Sequence, residues 1–220
     1  MVSTSGPTRR IRVLVADDHT IVRQGVVGIL KRTEDLEVVG EAANGDEAVA
    51  RTLVTKPDVL ILDISMPCLN GFEAARRIRR ALPDTRVLVL TMHDDAEYVL
   101  KMRLAGVAGY LVKDGAASEL IDAIRTLKAG RTYFGPQAAK ALSEAYEENL
   151  PLPDDPYARL TDRERQIFQL IVEGCTNAKI AERLYISPKT VDNHRTHLMN
   201  KLGLHCTADL LRHAARHGLI

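Results

Sequence analysis

Ile11-Arg12-Val13-Leu14-Val15-Ala16-Asp17-Asp18 is an apolar run closed by two carboxylates, and Val59-Leu60-Ile61-Leu62-Asp63 repeats the pattern with one. Unbroken apolar runs bounded by turns fit strands buried on both faces, as parallel strands are. Working outward, the strand candidates are Ile11–Ala16, Glu37–Ala42, Val59–Asp63, Arg86–Thr91 and Ala108–Val112. Helical patterns alternate with them near His19–Arg32, Gly45–Thr55, Gly71–Ala81, Asp94–Ala105 and Ala116–Ala129. This alternation predicts an α/β domain with a doubly wound, parallel, five-stranded sheet and right-handed crossovers.

In such a sheet, ligands gather beyond the carboxyl ends of the strands. Asp17, Asp18 and Asp63 would meet there, and three like charges repel unless a divalent cation sits among them. Oxygen-only donors suit Mg²⁺. Lys113 ends a third run and Thr91 a fourth. Carboxylates, a metal, an ammonium and a hydroxyl on one rim are the parts of a phosphoryl-transfer site. Each residue taken singly has a plainer reading. Asp17 or Asp18 could be the N-cap of the helix that starts near His19; Lys113 could be solvated, Thr91 a turn residue and Tyr110 partial core. Convergence of four strand ends favours the functional reading.

At 220 residues with net charge +1, the chain suits one large or two small globular domains. No stretch approaches ~18 uninterrupted apolar residues, so no transmembrane helix and no membrane partner is expected. Met1–Arg10 lacks an apolar signal core and reads as a disordered lead-in. Cys68, Cys175 and Cys206 are few, odd in number and far apart, which fits reduced thiols in the cytoplasm. Cys68, close behind Asp63, reads as a small loop residue rather than a redox centre.

Charge is unevenly spread. Bases outnumber acids from Tyr157 to Ile220, and five of the seven histidines lie there; acids predominate from Gly130 to Pro156. A polyanionic partner for the C-terminal end follows. Residues 130–156 read as a linker containing one helix from Pro136, with Leu150–Pro156 a proline-stiffened tether. Thr161-Asp162-Arg163-Glu164 is a capping box, and Ser187-Pro188 supplies an N-cap and first-turn proline. Helices from Asn177 to Leu184, from Ser187 to about Leu202 and from Thr207 to His217 complete an all-α, four-helix domain over 157–220, with a helix-turn-helix near 176–195.

At this point the chain resembles a known family. Asp17-Asp18, Asp63, Thr91, Tyr110 and Lys113 look like a flavodoxin-like receiver domain over 11–129. LTDRERQIFQLIVEGCTNAKIAERLYISPKTVDNHRTHLMNKL (Leu160–Leu202) looks like a LuxR-type DNA-binding domain. Together they resemble a two-component response regulator of the NarL/FixJ class. The resemblance implies that Asp63 accepts a phosphoryl group from a sensor histidine kinase. It implies that Asp18, Asp63 and the Ser65 backbone carbonyl bind Mg²⁺, with Asp17 acting through water. Lys113 and Thr91 would hold the phosphoryl group, and Tyr110 would turn into space freed by Thr91. Ser65 and His93 would tune water access to the acyl phosphate.

The third helix of the second domain should enter the major groove of promoter DNA. Lys189, Thr190, Asp192, Asn193, Arg195 and Thr196 are its polar candidates. Asn193 can pair with adenine, Arg195 can take guanine or phosphate, and Lys189 suits phosphate. Asp192, where the family often has lysine, could accept from cytosine or neutralise Arg195. Ala208, Leu211 and Ala215 form a strip on the last helix, which in this family pairs two DNA-binding domains, so a phosphorylated homodimer is implied. RNA polymerase is a further candidate partner. The resting receiver is expected to cover the Ser187–Leu202 or the Thr207–His217 helix, helped by acids at Glu144–Glu148.

Two other functions compete. One is a partner-binding regulator whose helical domain does not read DNA; the other is a stand-alone hydrolase, for which the sequence offers no second catalytic acid. The leading reading is a phosphorylation-switched transcription factor with no turnover beyond phosphorylation and dephosphorylation of Asp63.

Overall fold

The computed structural model describes residues 9–92, 96–115, 117–147, 159–204 and 206–216. Strands β1 (Ile11–Ala16), β2 (Leu36–Ala42), β3 (Val59–Leu62), β4 (Arg86–Thr91), β5 (Gly109–Val112) and β6 (Tyr133–Phe134) form one parallel sheet in the order β2-β1-β3-β4-β5-β6. The apolar runs explain it. Side chains alternate along each central strand, so Leu14, Ala16, Leu60, Leu62, Val87 and Val89 enter one core. Val13, Val15, Val59, Ile61, Leu88 and Leu90 enter the other. Burial on both faces leaves no polar alternation to read, which is the signature of a parallel sheet.

Helices α1 (Thr20–Lys31) and α5 (Ala117–Lys128) cover the second core through Val26, Val27, Leu30, Ala123, Ile124 and Leu127. Helices α2 (Gly45–Thr55), α3 (Gly71–Ala81) and α4 (Ala96–Leu104) cover the first. Asn44 and Asn70 cap α2 and α3 through bonds from the Glu47 and Glu73 amides. Asp94 and Asp95, where the helical pattern ahead of α4 begins in the sequence, lie outside the described residues, as does His93.

The sheet differs from the five strands expected. β6 pairs with Gly109 and Tyr110, and α6 (Pro136–Glu147) then packs Ala138 and Ala141 into the first core. Residues 133–147 therefore belong to the α/β unit, not to a linker. A two-residue strand carries no periodicity. It fits because Gly109 has no side chain: a Cβ there would lie 2.7 Å from Leu88 Cδ1 and 2.9 Å from the Tyr133 carbonyl oxygen. The tether Leu150–Pro156 lies outside the described residues.

The second unit is α7 (Asp162–Val172), α8 (Asn177–Arg183), α9 (Pro188–Leu202) and α10 (Thr207–Arg216), around Ile167, Phe168, Ile171, Ile180, Val191, Leu198, Leu210 and Ala214. Both halves of the Thr161/Glu164 capping box are present. Ser187 caps α9 ahead of Pro188, and Gly203 ends it in the left-handed conformation at φ 66°. Among the described residues, no helix is long and apolar enough to cross a membrane.

Candidate functional site

The strand order reverses between β1 and β3, and ligands bind at such a switch point. β1 ends at Asp17 and β3 at Asp63, side by side: Ala16 pairs with Leu62, and the Asp63 amide donates to the Ala16 carbonyl at 2.9 Å. Lys113 arrives from β5, its amide bonded to the Thr91 carbonyl at 2.8 Å. The Lys113 ammonium lies 2.6 Å from Asp63 Oδ2 and 2.8 Å from Asp17 Oδ2. Asp63 Oδ1 accepts from the Ile64 amide at 2.7 Å, and Asp17 Oδ1 from the His19 amide at 2.8 Å. Neither Asp17 nor Asp18 caps α1; His19 occupies that position and offers no side-chain cap.

Asp17, Asp63 and Thr91 are buried, and Tyr110 is fully so within the first core. Burial pushes the Asp63 carboxyl above the ordinary aspartate range, and the Asp17 charge adds to this, against the opposing pull of Lys113. Burial works against the Lys113 charge too, but hydrogen bonds to Asp17 and Asp63 outweigh it and raise its pKa. A carboxyl that holds its proton more tightly when folded favours folding at low pH, and that contribution is lost as pH rises through the raised value. Asp63→Asn should therefore raise Tm at pH 7, by roughly 2–4 °C for each kcal/mol recovered, and flatten the pH dependence of Tm above pH ~4. Calorimetry across pH checks this.

Carboxylate oxygens of Asp17, Asp18 and Asp63 and a nitrogen of His19 lie within 4.8 Å of one another. Asp18 Oδ1 is enclosed and has no hydrogen-bond partner, an arrangement that a cation would complete. Ser65 is half-buried in the loop that follows Asp63. Arg23, which the sequence did not single out, donates to the Asp17 carbonyl at 2.6 Å and pairs with Glu41 at 3.4 Å, so it braces the acid loop.

On α9, Lys189, Asp192, Asn193 and Thr196 are exposed, and Thr190 is half-buried. Arg195 is engaged within the domain: it donates to Asn177 Oδ1 at 2.9 Å and to Thr207 Oγ1 at 3.1 Å. Asp192 accepts from Asn177 Nδ2 at 3.3 Å, so it does not neutralise Arg195 directly. In this conformation Arg195 ties α8 and α9 to the start of α10 instead of reaching outward. On α10, Ala208, Leu211 and Ala215 are exposed while Leu210 and Ala214 fill the core.

Among the described residues, the polar contacts of the receiver-side unit with the helical domain run to α7 and its C-terminal end, rather than to α9 or α10 as expected. Arg165 lies 3.2 Å from Glu73 Oε2, and both side chains are buried. Asn70 Nδ2 is 3.5 Å from Gln169 Oε1, and the Cys68 amide donates to Glu173 at 2.6 Å. Glu144 is paired within its own helix to Lys140 at 3.7 Å, and Glu148 lies outside the described residues. Burial raises the Cys68 thiol pKa, with Glu173 adding to it, which favours the inert thiol over a redox-active thiolate.

Residues 13–125 match the response regulator receiver domain family, and residues 158–214 match the luxR family of bacterial regulatory proteins. The chain belongs to the response regulators. Among relatives of this response regulator, the oxygen regulatory protein NreC of Staphylococcus carnosus is 39% identical over 215 residues, covering 96% of this chain and 99% of NreC. Salmonella typhimurium RcsB superposes with a TM-score of 0.59 at 27% identity, over 94% of this chain and 99% of RcsB. ChrA, from a heme-sensing two-component system, has a TM-score of 0.53 at 34% identity, over 96% and 99% of the two chains. A receiver joined to a LuxR-type domain makes this response regulator a phosphorylation-dependent, DNA-binding transcription regulator. Regulators built from these two modules are typically not enzymes.

Proposed function

We propose that Asp63 is the phosphoryl acceptor, with a sensor histidine kinase as donor and Mg²⁺ as cofactor. The observation that carries this is the Lys113 ammonium bridging buried Asp63 and Asp17 at the switch point. An Asp63 carboxylate oxygen attacks phosphorus in line: one O–P bond forms as the bond to the donor breaks, and the electron pair leaves with the donor. Mg²⁺ held by Asp18 and Asp63, with Asp17 through water and the Ser65 carbonyl, would neutralise charge on the transferring oxygens. Lys113 exchanges its contact with Asp63 for one with a phosphoryl oxygen. Thr91 accepts the group's pull on its loop, and Tyr110, now fully buried, is the aromatic member of the switch.

The output is binding of double-stranded promoter DNA by a homodimer. RcsB has been solved as dimers bound to DNA, which supports this reading. Lys189, Asn193, Thr196 and Asp192 offer exposed groups for the groove, with Thr190 beside them, and Ala208, Leu211 and Ala215 offer an exposed pairing strip. Arg195 acts as a positioning residue in the resting form. Half-sites one helical turn, ~34 Å, apart would suit such a dimer. RNA polymerase is a candidate contact once DNA is bound.

Helix α3 joins the two ends. Its first residue, Gly71, lies against the Asp63 carbonyl, and Asn70 and Glu73 hold α7. Phosphorylation that shifts the Asp63 loop would loosen this contact and free the DNA-binding domain. Asp63→Asn should lose all labelling by acetyl phosphate with Mg²⁺ present while remaining folded. Full labelling of that variant would remove the assignment.

A further inference from the structure

Between α1 and α5, beside β4 and β5, lies a cavity of about 110 Å³ that the phosphoryl-transfer reading does not use. Its floor is apolar: Val26, Leu90, Leu111 and Leu120 are buried there. Gly115 and Ala117 are exposed and form its mouth. Two charged residues complete the lining, Lys113 and Glu119. The Lys113 ammonium is held by Asp63 and Asp17, at 2.6 and 2.8 Å, so its hydrocarbon stem is what the cavity meets. Glu119, in the first turn of α5, is half-buried and has no cation paired with it among the described residues. Its Oε1 is enclosed without a hydrogen-bond partner. Its Oε2 lies against the mouth, where a Cβ on Gly115 would come within 2.8 Å of it. Tyr133 hydrogen-bonds to this carboxylate but brings no positive charge. A half-buried carboxylate at the rim of an apolar cavity calls for a cation.

We propose that this cavity binds a short-chain alkylammonium ion, its aliphatic tail on the apolar floor and its ammonium on Glu119. Size sets the tail. An apolar cavity of ~150 Å³ holds benzene, so one of about 110 Å³ suits a chain of about four carbons. Mostly apolar walls with a few placed polar groups are the make-up of a small-molecule site. Charge sets the head: an anionic ligand would meet Glu119 with like charge, and Lys113 is already satisfied by two acids. The bound tail packs on the Lys113 stem, which holds the ammonium against Asp63. Lys113 must leave Asp63 when a phosphoryl group arrives, so an occupied cavity slows phosphorylation. This consequence, unlike binding itself, rests on the reading of Asp63 given above.

n-Butylammonium chloride is the probe, titrated into the full chain at constant ionic strength and followed by methyl NMR. The methyl signals of Val26 and Leu120 should shift and saturate. Affinity should rise about fourfold for each methylene added from ethylammonium to butylammonium, the gain for burying one CH₂, and level off for longer chains. Glu119→Gln should weaken butylammonium about tenfold, as loss of a bond to a charged group does, and leave n-butanol binding unchanged. Val22→Phe, which places a ring at the half-buried side of the cavity, should block both ligands. Val26 and Leu120 signals that do not move, or an affinity independent of chain length, would mean that the ion only pairs with a surface carboxylate and would overturn the proposal. At saturation, labelling by acetyl phosphate with Mg²⁺ should slow about fivefold or more, the low end of coupling between sites. Unchanged labelling with the ion bound would overturn the coupling through Lys113. No labelling with or without the ion would overturn the Asp63 reading and leave the cavity site standing.

Discussion

Gly71→Ala is expected to disable the receiver, lowering its stability by about 4 kcal/mol or more, among the largest effects single substitutions produce. A Cβ on Gly71 would overlap the Asp63 carbonyl and lie 2.8 Å from Ile64 Cα. Both neighbours are backbone, so no side chain can rotate away. The Gly71 amide also donates to the Ile64 carbonyl at 2.8 Å, which closes the loop that carries Ser65, Met66 and Leu69. Opening that loop displaces the Asp63 carboxylate from Lys113, so phosphorylation should fail even in molecules that remain folded. Chemical denaturation and acetyl phosphate labelling test the two effects separately. Unchanged stability would mean that α3 does not approach Asp63 this closely in solution.

Arg165→Met is expected to separate the two domains without unfolding either. Removing one partner of a buried ion pair costs about 3–5 kcal/mol because the other charge is left uncompensated. Arg165 pairs with Glu73 at 3.2 Å and with Asp162 at 3.0 Å. Glu73 retains Arg77 at 3.3 Å, which lessens its isolation. The pair spans two domains, so the penalty can be escaped by letting Glu73 return to water, and the loss falls on docking. X-ray scattering should show a larger radius of gyration. DNA binding without phosphorylation should rise at least ~5-fold, the low end of typical coupling between sites. Replacing both partners with apolar residues of similar volume, Glu73→Leu with Arg165→Met, should restore docking in large part. Unaltered scattering for Arg165→Met would show that the domains are held by something other than this pair.

The central sheet and the acid site were legible in the sequence for one shared reason. Val13–Ala16 and Val59–Leu62 are apolar without interruption, and the residues that end them face the switch point whatever the loops do. Reading the strands therefore locates Asp17, Asp63 and Lys113. β6 was not legible, because Tyr133–Phe134 has too few residues for a period and depends on the absent side chain of Gly109. The domain contact was also hidden. Glu73 reads as a first-turn acid and Arg165 as a solvated helical base, and only tertiary packing buries both. Expecting α9 or α10 to be covered weighed their functions rather than their surfaces, whereas a complementary charged pair drew α7 to the receiver. Arg195 is ambiguous in the same way: its fork matches Asn177 and Thr207 within the domain as well as it matches a base.

Phosphoryl transfer to Asp63 is expected to release the DNA-binding domain. The most direct measurement is the affinity of the full chain for genomic fragments recovered with it, before and after acetyl phosphate treatment at one fixed salt concentration. Phosphorylation should tighten binding by about 5- to 150-fold, the usual range for coupled sites, and Asp63→Asn should show no change. Equal affinity of the two forms, with Asp63 fully labelled, would contradict the account.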